Sequence, residues 1–225
     1  HYGDRFRIRI DGRIRQQPYA FLFGPITRPI EIGPSGTTGM IAARFYPGAL
    51  PAFLSFPVKQ MTDRYVALHQ ALGPEARTLE KSIRMHISYR EQMMDMLEAF
   101  LLAKLSLHTF TPILKPATLR QITDQKQTIK IEALSTQLNI GRRQLERKFK
   151  EQVGMTPRLF LRIARFQNIF RIIRNKTIRN LTDLTYRAGY FDQSHFNRDF
   201  KTFAGKSPKH YFKEDAALTN LFLAS

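Results

Sequence analysis

Residues 189–208 read GYFDQSHFNRDFKTFAGKSP, and residues 139–157 read NIGRRQLERKFKEQVGMTP. Set side by side, the two share one pattern. Leu145, Phe149, Gly154, Thr156 and Pro157 match Phe196, Phe200, Gly205, Ser207 and Pro208 at a constant offset of 51. Upstream, Ile131, Leu134 and Leu138 match Leu181, Leu184 and Ala188 at an offset of 50, so the second copy has one additional residue in its turn. Each copy is predicted to form a short helix, a tight turn and a second short helix. A glycine follows, then a helix opened by Thr-Pro or Ser-Pro, where the hydroxyl caps and proline takes the first helical position. The turn residues Asn139 and Gly189 both tolerate positive φ.

Such a unit is a helix-turn-helix, written twice. Its second helix lies in the major groove of duplex DNA while the first crosses the backbone. With Leu145 and Phe149 pointing inward, Arg143, Glu146, Arg147 and Lys150 fall on the opposite face. The later helix exposes Ser194, Asn197, Arg198 and Lys201 in the same way, with Gln193 at its start. Arginine reads guanine through O6 and N7, Gln or Asn reads adenine, and lysine more often neutralises phosphate. Lys150 and Lys201 are therefore expected on phosphates, together with Arg142, Thr156 and Ser207. A solvated charged face is the plainer account of one such helix; two matched faces on a basic domain favour DNA.

The charge distribution points the same way. The 225 residues carry a formal charge of +18. Residues 131–213 hold 18 Lys and Arg against 6 Asp and Glu, a net +12, whereas residues 1–115 hold 15 against 9, a net +6. The strongly basic part attracts a polyanion, and salt weakens that attraction. Cysteine is absent, which excludes disulfides, thiolate-bound zinc and cysteine nucleophiles. No apolar run approaches the roughly 20 residues that span a bilayer as a helix. His69, His86 and His108 are far apart and form no metal-ligand spacing, and there is no Walker loop or nucleophile setting, so neither an enzyme, a metal nor a cofactor is expected.

Outside the repeat the period changes twice. In RFRIRI (5–10), Phe6, Ile8 and Ile10 alternate with Arg5, Arg7 and Arg9, as in a half-buried strand. YAFLFG, RPIEIG and GMIAARFYPG are predicted as further short antiparallel strands between Gly and Pro turns. About four strands leave sheet edges to be covered, and a start at His1 within strand-like sequence suggests a fragment lacking its first strands. From about residue 61 the period is helical. LEKSIRMHISYREQMMDMLEAFLLAKL (79–105) places Leu79, Ile83, Ile87, Met94, Leu97 and Leu101 at helical spacings, with a break near Ser88. Its apolar faces suit an intersubunit helix pair or a cover over the sheet. HTFTPILKPAT (108–118), with two prolines, marks the domain boundary. Beyond it, helices are predicted at about 117–125, 131–138, 142–152, 157–174, 181–188, 193–203 and 208–213. The long fourth one, bearing Phe160, Ile163, Ala164, Phe166, Ile169, Phe170 and Ile173, has the broad apolar surface of a bridge between two small bundles.

IEALSTQLNIGRRQLERKFKEQVGMTPRLFLRIARFQ (131–167) and LTDLTYRAGYFDQSHFNRDFKTFAGKSPKHYF (181–212) together resemble the DNA-binding domain of the AraC family of bacterial transcription regulators, over roughly residues 115–213. The resemblance implies seven helices in two helix-turn-helix subdomains joined by a long helix. It also implies recognition helices in successive major grooves about 34 Å apart. The family's base-facing slots fall on Arg143, Glu146 and Arg147, and on Gln193, Ser194, Asn197 and Arg198. Glu146 has two roles open to it, accepting from cytosine N4 or pairing with a neighbouring arginine. His195 has two as well, phosphate contact or packing beside the core. Tyr190, Phe203, Tyr211 and Phe212 are expected in the core. Gly141 and Lys130 stand where a capping hydroxyl is common, whereas Asn180 with Asp183 forms a better cap in the second copy. Asp192 is expected to cap the second recognition helix while Phe191 packs in the turn.

YAFLFGPITRPIEIGPSG (19–36), IAARFYPGALPAFLSFPVKQMTDRYVAL (41–68) and LGPEARTLEKSI (72–83) resemble the cupin-like sensor half of a subgroup of that family. The resemblance implies a domain that senses a small molecule, dimerises, or both. Arg28 and Arg44 are the weak candidates for meeting an anionic effector, against the ordinary reading of solvated arginines. The expected architecture is thus a two-domain α+β chain. A sensor or dimerisation sheet with helices occupies 1–108, a linker 109–116, an all-α DNA-binding domain 117–213 and a tail 214–225. Its expected partners are double-stranded DNA, RNA polymerase, a small-molecule effector and a second copy, in the bacterial cytoplasm. The competing readings are a non-specific DNA-coating protein and a fragment that binds DNA without sensing.

Overall fold

Alternation of arginine and isoleucine gives the N-terminal part its first two-faced strand. In chain order this part forms β1 (Tyr2–Gly3), β2 (Arg7–Ile10), β3 (Arg13–Gln16), β4 (Phe21–Phe23), β5 (Glu31–Gly33), β6 (Thr38–Gly39) and β7 (Tyr65–Ala67), then α1 (Leu68–Leu72), α2 (Ala76–Met85) and α3 (Arg90–Ser106). On β2, Ile8 is buried and Arg7 and Arg9 are exposed. β2 pairs antiparallel with β3, Arg7 opposite Gln16, and with β5, Ile8 opposite Ile32. Separate antiparallel pairs join β1 to β6 and β4 to β7, so the strands of the described residues form three small sheets. The computed structural model describes residues 1–10, 12–106, 112–124, 131–174 and 180–212. His108, residues 109–111 of the expected linker, Lys130 and the expected tail from 214 onward lie outside them.

The described residues divide into two compact units. One comprises His1–Ile26, Ile30–Pro116 and Lys148–Gly154; the other comprises Thr27–Pro29, Ala117–Arg147 and the described residues from Met155 onward.

In the first unit two apolar clusters hold sheets and helices together. Leu22, Leu54, Val58, Met61 and Leu72 form one, with Phe45, Phe53, Val66 and Phe100 against it. Leu79, Ile83 and Met93 form the other, with Tyr2, Ile41, Leu97 and Phe100. The strand expected in GMIAARFYPG is absent: β6 ends at Gly39, and residues 40–46 run as coil. Ile41 is drawn to one cluster and Phe45 to the other, so the segment spends its apolar side chains as anchors for a coil. Conversely β3 lies where the sequence predicts no strand: Ile14 is its single apolar residue, too few for an alternating pattern, and all four residues are exposed. Its ladder to β2 and the positive φ of Gly12 in the turn make the hairpin. β7 is likewise a strand inside sequence expected to be helical; its pairing with β4 prevails over local period.

The helix break is real, with α2 ending at Met85 and α3 beginning at Arg90. One helical phase does not carry across it. Ile87 and Met94, expected inward, are 46% and 59% exposed, while Met93 is wholly buried. Helix α3 begins afresh after the break, in a register set by its own contacts.

The second part is all α among the described residues: α4 (Pro116–Asp124), α5 (Ile131–Gln137), α6 (Arg142–Gln152), α7 (Pro157–Arg174), α8 (Leu181–Arg187), α9 (Gln193–Ala204) and α10 (Pro208–Tyr211). The core around α7, α8 and α9 is Ile169, Leu184, Ala188, Tyr190, Phe196 and Phe200, with Phe166, Phe170 and Tyr211 packed on it. Phe200 meets Phe166 at 5.4 Å and 77° and Tyr211 at 5.3 Å and 77°, edge-to-face contacts that suit the ring quadrupoles. Phe212, expected in this core, touches Phe200 at 5.4 Å but stays 42% exposed.

A close approach in the first unit provides a test. A Cβ on Gly24 would overlap the Met61 carbonyl, whereas one on Gly33 meets nothing within 4 Å. Gly24→Ala is expected to lower stability by about 2 kcal/mol in urea denaturation, with Gly33→Ala close to neutral.

Candidate nucleic-acid interface

Helix α9 takes its orientation from both ends and from beneath. At its start the Asp192 carboxylate accepts from the His195 backbone N–H at 2.6 Å, and at its end Gly205 closes it in the left-handed region at φ 76. Underneath, Phe196 and Phe200 are wholly buried. The 3.6-residue period then leaves Ser194, Asn197, Arg198 and Lys201 as an exposed stripe, with Gln193 exposed at the N-terminal end.

A buried ion pair that sequence reading passed over also fixes this helix. Asp199, 2% exposed, lies on its inner face and accepts from Arg162 of α7 through Nε at 3.1 Å and Nη2 at 2.7 Å, both to Oδ1. The Arg162 guanidinium in turn lies 5.2 Å from the Phe203 ring centre. An aspartate three residues from a buried Phe196 reads locally as one more surface charge, so only the position of Arg162 reveals its role. His195 completes the cluster. Its ring meets Tyr190 edge-on at 5.2 Å, and Nε2 is 3.8 Å from Asp199 Oδ2, so it packs beside the core. Burial, and then the Asp199 charge, push the Tyr190 phenol well above its ordinary value, so it stays neutral.

Helix α6 repeats the arrangement. Leu145 and Phe149 are wholly buried, Arg143, Arg147 and Lys150 are exposed, and Glu146 is half-buried between them. Glu146 is 3.5 Å from Arg142 one turn earlier, an exposed pair worth a few tenths of a kcal/mol at most (~0.3). The preceding turns match bond for bond. Asn139 donates its backbone N–H to Thr136 and Ile140 to Ser135, as Gly189 does to Tyr186 and Tyr190 to Thr185. Asn139 at φ 50 and Gly189 at φ 85 both take the left-handed conformation. From the next helix on, Leu145 donates to Gly141 as Phe196 does to Asp192. The offset is thus 50 through Tyr190 and 51 from Asp192, which makes Phe191 the additional residue. It does not pack in the turn as expected; at 85% exposed it projects into solvent, because Tyr190 already fills the buried slot that Ile140 matches.

Of the other expected contacts, Thr156 and Ser207 are half-buried, and both hydroxyls accept from helix N–H groups, of Leu159 at 3.2 Å and His210 at 3.4 Å. Asn180 caps α8 through the Asp183 N–H at 2.8 Å. In the first unit, Tyr2, Ile41, Phe53, Leu97 and Leu101 line part of an open, mainly apolar groove of about 710 Å³ whose rim includes Arg90 and Glu98. Arg28 and Arg44 are exposed and do not line it. No group of three or more His, Asp or Glu among the described residues could hold a metal ion, and no described helix is long and apolar enough to cross a membrane.

Residues 134–214 match a family described as a helix-turn-helix domain, and residues 1–67 match a domain of unknown function (DUF6597). The HTH-type transcriptional activator RhaS of Escherichia coli (strain SMS-3-5 / SECEC) is 31% identical over 78 residues, 35% of this chain and 28% of that protein. Its counterpart in Escherichia coli (strain 55989 / EAEC) gives the same figures. The chain matches less than a third of the length of these curated relatives. This distant homology supports a helix-turn-helix DNA-binding domain of the AraC family in the C-terminal part.

Two substitutions probe how α9 is held. Asp192→Ala is expected to cost about 1 kcal/mol through the lost cap. Arg162→Ala, which leaves the Asp199 carboxylate buried without its partner, is expected to cost about 3 kcal/mol. Chemical denaturation followed by circular dichroism measures both.

Proposed function

We propose that this chain is a transcription regulator that reads double-stranded DNA by sequence, with α6 and α9 as its recognition helices in successive major grooves. One observation carries this: two turns with the same hydrogen bonds each present a helix whose buried pair of apolar residues forces a base-capable stripe outward. Arg143, Glu146 and Arg147 on α6, and Gln193, Ser194, Asn197 and Arg198 on α9, meet base edges. Arg142, Lys150 and Lys201 meet phosphates, joined by Thr156 and Ser207 at the helix starts that their hydroxyls cap. The net charge of +12 over residues 131–213 supports this role.

The N-terminal unit serves in this reading as a cupin-like sensor or dimerisation half, its open groove offered to a small apolar effector. RNA polymerase is a further partner in this reading where the chain acts as an activator, and the cytoplasm is the compartment. Regulators of the AraC family are typically non-enzymatic, in keeping with a role of binding alone.

Selection from a random duplex library, then titration of enriched and scrambled duplexes at fixed salt, tests the proposal. Enrichment of two short elements about one helical turn apart is expected. Salt-sensitive binding without enrichment would point to a DNA-coating protein. Arg147→Ala and Arg198→Ala are each expected to lose about 1–3 kcal/mol on the enriched duplex and much less on the scrambled one. Lys150→Ala and Lys201→Ala should weaken both duplexes alike and reduce the salt slope by about 1.

A further inference from the structure

Phe191 is the one residue of the second helix-turn-helix that has no counterpart in the first, and it is the most exposed large apolar side chain among the described residues. Both facts have one geometric cause. Tyr190 N–H is committed to the Thr185 carbonyl and its ring is buried against Phe196 and His195. Asp192 is committed to the α9 cap. The residue between them has no inward direction left, so its phenyl ring stands out into solvent, two residues before α9 begins at the exposed Gln193. Leaving a phenyl in water forgoes the stabilisation of burial, and nothing in the folding of the turn needs an aromatic there. Gly141, which matches Asp192 in the first copy, directly follows the residue matching Tyr190, so a turn without this side chain is made in the same chain.

Resting on the DNA-reading role above, we propose that Phe191 reads thymine, packing its ring against a thymine 5-methyl group at the edge of the site bound by α9. The thymine methyl is the apolar group that the major groove offers, and phenylalanine is among the side chains that suit it. The first turn of a recognition helix is where base edges come within reach. The neighbouring polar residues, Gln193, Ser194 and Asn197, are suited to hydrogen-bonding bases, so Phe191 adds the discrimination they lack, between thymine and a base pair with no methyl. The second half-site is accordingly expected to carry a thymine requirement that the first does not.

The test uses the full chain and the duplex enriched from a random library, with each thymine replaced singly by deoxyuracil so that only a methyl is removed. The wild type is expected to lose about fourfold in affinity at one position within the element bound by α9. Phe191→Ala is expected to bind the unmodified duplex about fourfold more weakly, to be indifferent to that same replacement, and to melt as the wild type does. Phe191→Leu, still apolar, should retain part of the penalty. A wild type indifferent to every replacement overturns the proposal, as does a Phe191→Ala protein that keeps the full penalty. Failure to enrich any duplex overturns the DNA-reading role and this proposal together, whereas an enriched duplex without a methyl penalty overturns this proposal alone.

Discussion

Burial of Phe196 and Phe200 against Ile169 and Leu184 is the constraint on which the second helix-turn-helix depends. Two phenyl rings one turn apart set the rotation of α9 about its own axis. Every outward residue follows from that rotation: Ser194, Asn197, Arg198 and Lys201 are on the surface because the rings are not. Removing either ring would cost about 3–5 kcal/mol, more than any single surface contact of the helix contributes. The Asp192 cap and the Asp199–Arg162 pair then hold its start and inner face. Recognition by such a helix is a matter of rigid presentation, since a base-reading side chain on a loosely held helix loses on ordering what it gains in contact.

The two copies hold their second helices by different contacts. The second has an aspartate cap, an ion pair with a buried carboxylate and an aromatic cluster; the first has Gly141 before α6, an exposed Arg142–Glu146 pair on it and a buried Gln152 side chain that accepts the Leu114 N–H at 2.9 Å. Glu146 is turned toward solvent and toward Arg142 at once, so its pairing leaves it available at the surface.

In the N-terminal unit the strands are short and each sheet is small, and helices α2 and α3 with two apolar clusters supply much of the cohesion. The open groove is lined by Leu97 and Leu101 of α3 and by the coil of residues 40–43, across a space that no described residue fills. That groove is mainly apolar, and neither Arg28 nor Arg44, the weak candidates for meeting an anion, lines it.

Periodicity and repetition by themselves determined the C-terminal part: the seven helices of the described residues close to their bounds, the inward residues of α6 and α9, the two positive-φ turns and the caps at Asn180 and Asp192. Those features depend on contacts within a few residues, where spacing and side-chain chemistry act directly. Tertiary structure decided the rest. An aspartate seven residues after a cap becomes a buried anchor only because Arg162, 37 residues earlier in the chain, reaches it. Phe191 is exposed because Tyr190 holds the buried place, Met93 displaces Met94 from the core after the helix break, and β3 and β7 exist through their partners. The ion pair and the β4–β7 ladder rest on partners distant in sequence, and which of two adjacent residues is buried, Tyr190 or Phe191 and Met93 or Met94, is set by the packing each helix meets; no local pattern encodes either.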